Sequence, residues 1–179
     1  MARGRIKWTE KKIQQMEADG HGSGTGSSYR PWIEVDTVSS SGRSRRVWSS
    51  KTERTHHLLS DVEYRLFLAL EWQTDIVDIR EQYPLDRDIT QDIARELGIH
   101  HPHYPGTGIP TVMTVDFLVT RPRDGGADLE AFNAKRTDEA EDENSLAKLE
   151  IQRSALECME IPHHLVFHSD IPLQKVNNI

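Results

Sequence analysis

Two neighbouring segments of this sequence hold residue types that could do chemistry together. The stretch 111–120, TVMTVDFLVT, is apolar and β-branched apart from Asp116 and its threonines, and the stretch 129–136 reads LEAFNAKR. Both have the composition of strands, joined by a turn at Asp124-Gly125-Gly126. Strand side chains alternate between faces, so Val112, Thr114, Asp116 and Leu118 share one face. Leu129, Ala131, Asn133 and Lys135 share a face of the second strand. A carboxylate inside an apolar strand is costly to bury without a partner. Asp116, Asn133 and the backbone carbonyl of Ala134 offer the hard oxygen donors that magnesium binds while keeping several waters. Lys135, two residues beyond Asn133, could orient or deprotonate an attacking water and offset negative charge developing in a transition state.

A further carboxylate lies upstream. Glu63 falls in Ser60-Asp61-Val62-Glu63, which has the form of a capping box, with Glu63 folding back on the start of its own helix. The alternative is that Glu63 reaches the same cation as Asp116. Both readings stand at this level.

The elements that must position these groups follow from periodicity and punctuation. A short helix is expected over residues 9–18, capped by Thr9, with Ile13 and Met16 on one face. The segment GHGSGTGSS, residues 20–28, reads as a flexible linker. A β-leaning stretch follows at residues 32–35. A loop then carries Arg43, Arg45 and Arg46. A helix is expected over 60–72, with Val62, Leu66, Ala69 and Leu70 at helical spacing. Extended chain over 76–85, a helix over 90–97 and a loop over 100–110 precede the two central strands. Residues 137–144, TDEAEDEN, read as an acidic solvated loop, 145–159 as a long amphipathic helix and 163–168 as a last strand. Cys158, among Ile151, Ala155 and Met159, reads as a core residue.

The bulk figures set limits. The chain has 179 residues, 36% hydrophobic and 28% charged, with one cysteine. That composition suits one soluble domain in a reducing, cytoplasmic setting, without internal disulfides or a multi-cysteine zinc site. The opening residues have no secretory h-region, and no run is long enough to span a membrane. The net charge of −7 is unevenly spread: residues 1–55 hold 11 Lys/Arg against 6 Asp/Glu, and the remainder is strongly acidic. A basic N-terminal part can meet DNA phosphates. Arg43, Arg45, Arg46, Lys51 and Arg54 are the candidates for that contact, and a solvated basic loop is the alternative. His56 and His57 suit either phosphate contact or ordinary packing. His100, His101 and His103 lack the spacing of a helical metal site and read as loop surface.

The order Asp116 … Asn133-Ala134-Lys135 resembles that of the PD-(D/E)xK nucleases. More of the chain is similar to one family. The runs Ser40-Ser41-Gly42-Arg43-Ser44-Arg45-Arg46, Lys51-Thr52 and His56-His57-Leu58-Leu59-Ser60-Asp61-Val62-Glu63 look like the opening of the TnsA nuclease domain. So do Leu70-Glu71-Trp72, Asp78-Ile79-Arg80-Glu81-Gln82-Tyr83-Pro84-Leu85 and Thr114-Val115-Asp116-Phe117-Leu118-Val119. The resemblance runs in order over residues 10–175. It implies an α/β fold with a restriction-endonuclease-like core, a mixed central sheet flanked by helices, and a basic N-terminal arm. Residues 1–28 would form the helix and linker and 29–179 the nuclease domain, with the family's usual C-terminal domain absent or reduced.

The resemblance implies a catalytic set at Glu63, Asp116, Asn133 and Lys135, with Mg2+ (or Mn2+ in its place) held by Glu63, Asp116, Asn133 and Ala134. The family has Gln-x-Lys where this chain has Asn133-Ala134-Lys135. The shorter amide implies a weaker or water-bridged metal contact. The implied function is an endonuclease cutting the 5′ strand of double-stranded transposon ends. The resemblance also implies a TnsB-like transposase that would cut the other strand and a TnsC-like ATPase that would regulate both. Two other readings share the fold. One is a catalytically silent subunit that binds DNA and partners, and the other is a stand-alone nuclease.

Overall fold

The computed structural model describes residues 6–37, 43–137 and 142–171. Helix α1 spans Glu10–Ala18 and is capped by the Thr9 hydroxyl, which accepts from the Lys12 amide. A hairpin of β1 (Arg45–Ser49) and β2 (Arg54–Leu58) leads into α2 (Asp61–Glu71). Strand β3 (Asp78–Pro84) and helix α3 (Arg87–Glu96) precede the central pair β4 (Thr114–Arg123) and β5 (Gly126–Lys135). Helix α4 (Glu143–Cys158) then crosses to β6 (His163–Phe167). The main sheet has the order β3-β4-β5-β6, with β3, β4 and β5 antiparallel and β6 parallel to β5. This is the mixed sheet flanked by helices that the sequence implied. Among the described residues no helix is long and apolar enough to cross a membrane.

The sheet has a core on each face. On one, Phe67, Leu66 and Leu70 of α2 pack with Leu58, Ile79, Phe117 and Val119. On the other, Ile93 of α3 and Ile151, Ala155 and Leu156 of α4 pack with Val115, Leu118 and Ala131. Each such fully buried aliphatic or aromatic side chain contributes about 1.5–3 kcal/mol. The alternation is broken in two places. Ile79 faces the α2 core, whereas Tyr83 and Leu85 face the opposite one. Phe117 and Val115 are split in the same way. On an unbroken strand, residues two apart would share a face. The break in β3 falls at Gln82, which has φ +46. The break in β4 falls at Asp116.

The N-terminal part is not tethered by a flexible linker. Ile13 and Met16 pack with Trp32, Tyr104 and Val112 in a third apolar cluster, and Glu10 pairs with Arg87 at 2.8 Å. The glycine-rich segment is docked onto β3. Gly22 has φ +76, and a Cβ there would sit 2.2 Å from the Pro84 ring. The Gly26 amide donates to Asp78 Oδ1 at 3.2 Å. Glycine serves close approach here, so composition alone misjudged it.

Other expectations are corrected in the same way. Residues 32–35 form bends and turns rather than a strand. His101 is buried and bonded to Thr90 Oγ1 at 3.1 Å, so it is not loop surface. Cys158 is exposed at the end of α4 and is not a core residue. Of the acidic segment, residues 138–141 lie outside the described residues. Asp142 caps α4 by accepting from the Ser145 amide at 2.8 Å, a favourable place for negative charge.

The hairpin is fixed to the sheet by a buried ion pair. Glu81 of β3 has no exposed surface and accepts four hydrogen bonds. Arg54 donates twice, at 2.9 and 2.5 Å, His56 Nδ1 lies at 2.7 Å, and the His57 amide donates at 2.9 Å. Burial alone would raise this carboxyl, but the bonds from His56 and Arg54 outweigh it and hold Glu81 well below the usual carboxylate range. Replacing Glu81 by alanine should leave Arg54 buried and unpaired, at a cost of about 3–5 kcal/mol. Urea unfolding should show a lower midpoint at an unchanged slope, whereas a shift under 1 kcal/mol (about the worth of a surface pair) would contradict this account.

Candidate active site

The sequence-predicted carboxylates meet where two strands part. Strands β4 and β5 pair from Arg123↔Gly126 to Phe117↔Phe132, and no further. Beyond that point β4 continues against β3 and β5 against β6. Asp116 and Asn133 are the first residues past the split. They close it with side chains: Asn133 Oδ1 accepts from the Asp116 amide at 3.0 Å, and Asp116 Oδ2 accepts from the Ala134 amide at 2.7 Å. An aspartate tolerates this partly buried place because a backbone N–H points at its oxygen.

Glu63 approaches from α2. The helix starts at Ser60, whose hydroxyl oxygen accepts from the Glu63 amide at 3.1 Å. Glu63 returns the interaction one residue early: its Oε2 accepts from the Leu59 amide at 2.9 Å and its Oε1 from the Ser60 hydroxyl at 3.1 Å. The two readings of Glu63 are therefore compatible, because the capped carboxylate also faces Asp116. Burial, and then the nearby Asp116 carboxylate, push Glu63 well above the usual carboxylate range. Two carboxylates forced together away from water are a place where a divalent cation would be welcome.

The donor set fits such an ion. Among the described residues no group of three His, Cys, Asp or Glu gathers anywhere. The protein's charged share would thus be Glu63 and Asp116, the rest neutral oxygen and water, a composition that suits Mg2+.

Asn133 is placed differently from expectation. It is buried, with 2% of its surface exposed. Gln152 of α4 donates its Nε2 to the Thr114 carbonyl at 2.7 Å, so its Oε1 must face a donor. That donor is Asn133 Nδ2 at 2.8 Å, which also lies 3.1 Å from His163 Nε2. Both ends of the Asn133 amide are engaged in tying β4, α4 and β6 together. Burial lowers the His163 pKa, in keeping with a neutral ring that accepts at Nε2. Lys135 lies two residues farther along β5, half-buried at the strand's end. Gln82, Thr114, Gln152 and His163 were missed by sequence reasoning. Polar residues without periodicity carry no signal until the fold gathers them.

The five basic residues do not form one loop. Arg54 is buried against Glu81, with its Nη2 also bonded to the Ile79 carbonyl at 2.8 Å, and is removed from the DNA-facing set. Lys51 donates to the Gln73 carbonyl at 2.5 Å just past the end of α2, where a cation complements the helix dipole. Arg43 is exposed. Arg45 pairs with Asp61 at 2.7 Å and lies over the Tyr64 ring, and Arg46 pairs with Asp36. Arg45 thus stands at the first turn of the helix that bears Glu63. His56 is fully buried between Thr52 and Glu81, and His57 accepts from the Val35 amide, so both serve packing.

Residues 73–168 match the family model described as TnsA-like endonuclease N terminal. Over 178 residues the chain is 41% identical to the transposon Tn7 transposition protein TnsA of Escherichia coli. That alignment covers 99% of this chain and 64% of the relative, so the chain spans less than two thirds of the relative's length. Asp116, Asn133 and Lys135 lie inside the family-model match, and Glu63 inside the longer alignment.

A raised carboxyl disfavours folding as pH climbs: the folded state holds a proton that the unfolded chain has released. Glu63→Gln keeps the cap and removes this cost. The variant should be more stable than the parent above neutral pH without metal, by about 1 kcal/mol or more, with the difference vanishing below pH 4.5. Thermal unfolding across that range checks it, and a parent more stable than the variant at pH 8 contradicts it.

Proposed function

Because the chain belongs to the TnsA-like endonuclease family, we propose that it is the DNA-cleaving subunit of a transposase, hydrolysing the 5′ strand at transposon ends in an Mg2+-dependent reaction. The observation that carries this reading is the meeting of Glu63 and Asp116 at the split between β4 and β5, with Lys135 at the end of β5.

A divalent cation held by Glu63, Asp116 and a neutral oxygen such as the Ala134 carbonyl would supply Lewis acidity at the scissile phosphate. The chain's own residues do the rest. The Leu59 amide and Ser60 hydroxyl hold Glu63 in place, and the Ala134 amide orients Asp116. Asn133 fixes the spacing of the two strands that carry Asp116 and Lys135. Lys135 holds the attacking water and offsets the charge that grows on the phosphate oxygens. The water oxygen bonds to phosphorus as the ester bond to one sugar oxygen breaks; the water gives up a proton, the departing oxygen takes one from solvent, and the products are a phosphate monoester and a free hydroxyl. Arg43, Arg45 and Arg46 set the duplex on the site through phosphate contacts, which carry no sequence information. A TnsB-like transposase would cut the complementary strand, and a TnsC-like ATPase would couple the pair to a target.

Asp116→Ala should keep the fold and reduce cleavage of labelled transposon-end DNA, assayed with the transposase partner and Mg2+, by at least about 10²–10³-fold. Cleavage at the parent rate would sink this reading. The basic residues should separate by salt dependence. Removing Arg43 or Arg46 should flatten the log–log salt slope of DNA binding by about 1 each. Arg54→Ala should instead lower the unfolding midpoint, and a slope change without loss of stability would return Arg54 to the DNA-facing set.

A further inference from the structure

Gln82 sits in β3 with φ +46, a left-handed conformation that a residue with a Cβ adopts under strain. The ladder on either side is regular, Glu81↔Phe117 and Tyr83↔Val115, which leaves Gln82 opposite Asp116. Its backbone carbonyl turns out of the ladder and accepts from the Trp32 amide at 3.2 Å. The side chain is 4% exposed and reaches two groups. Nε2 donates to Glu63 Oε2 at 3.4 Å, and Oε1 accepts from the Thr114 hydroxyl at 3.0 Å. The amide nitrogen faces the Glu63 carboxyl and the amide oxygen faces the Thr114 hydroxyl.

These contacts close a circuit. Glu63 is bonded to Gln82, Gln82 to Thr114, the Thr114 carbonyl to Gln152, Gln152 to Asn133, and Asn133 to the Asp116 amide. Each of the two carboxylates is anchored at one end. Glycine or asparagine would relieve the backbone at position 82, but neither has an amide long enough to span Glu63 and Thr114.

We propose that Gln82 is a positioning residue of the cleavage reaction, its strained backbone aiming an amide that holds Glu63 toward Asp116 in the geometry a divalent cation needs. The proposal rests on the metal-dependent reading above. Residues that orient ligands in this way commonly change metal affinity by about 10–100-fold when removed.

The test is calorimetric titration of the full chain with Mn2+ alone, beside thermal unfolding of the same samples. Gln82→Gly should keep or raise Tm, because the left-handed backbone is no longer strained, and should weaken Mn2+ binding by about 10–100-fold. Gln82→Asn, which also tolerates that backbone, should lose affinity in the same way. A purely structural role would lower Tm and leave the affinity of the folded protein unchanged. If either folded variant binds Mn2+ like the parent, while Asp116→Ala does not bind, the role of Gln82 is overturned and the metal site stands. If both variants unfold, Gln82 is a structural support and the proposal is overturned. If the parent itself binds no Mn2+, the metal reading falls and this proposal falls with it.

Discussion

The buried carboxylate of Glu81 is the constraint on which the rest of this structure depends. A charge without solvent contact is tolerable only when every lone pair is met, and Glu81 meets four donors, all from β2. Those donors lock the hairpin to the sheet. Only two residues separate the end of β2 from the first residue of α2, so the hairpin's position fixes where the helix begins. The helix start fixes Glu63. The residue after Glu81 in β3 is Gln82, which touches Glu63 from the other side. A single desolvated ion pair therefore sets the site from two directions. Tyr29 adds the N-terminal segment to the same assembly, its hydroxyl donating to the Glu81 carbonyl at 3.0 Å.

How much of this was legible in the sequence depends on the range over which each feature is decided. Asp116 stood out because a carboxylate is conspicuous in an apolar strand. Helix α2 and its cap could be read because Ser60 and Glu63 are three residues apart. The mixed sheet followed from the resemblance, not from the order of elements. Arg54 could not be told from Arg46, because what separates them is Glu81, 27 residues away. The role of Asn133 was hidden for the same reason, since Gln152 and His163 come from an element and a strand that only the fold brings near. The glycine-rich segment was misread because glycine marks both slack chain and tight contact. Pro84 decides between them here.

The split between β4 and β5 is the architectural counterpart of that polar circuit. A sheet that kept its ladder through Asp116 and Asn133 would pair the two residues directly and turn both side chains to one face of the sheet. Where the ladder ends, one amide on each strand is met by a side-chain oxygen of the other. The same place lets β4 exchange faces, so that Val115 and Phe117 serve different cores. The opening that admits chemistry is thus paid for by two hydrogen bonds and a change of face, not by a missing core.

The double engagement of Glu63 bears on how such a protein can change over generations. Its carboxylate begins a helix and faces Asp116 at once, so a residue that cannot cap the helix there would disturb the fold as well as the site. Lys135 lies at the end of its strand, half-exposed and outside both apolar cores. If the chain cuts DNA as proposed, a lineage that lost that activity would find its shortest path at Lys135, and its descendants would still carry a glutamate at the helix start. On that reading, retention of the glutamate alone is a poor marker of activity among relatives, whereas the lysine is an informative one.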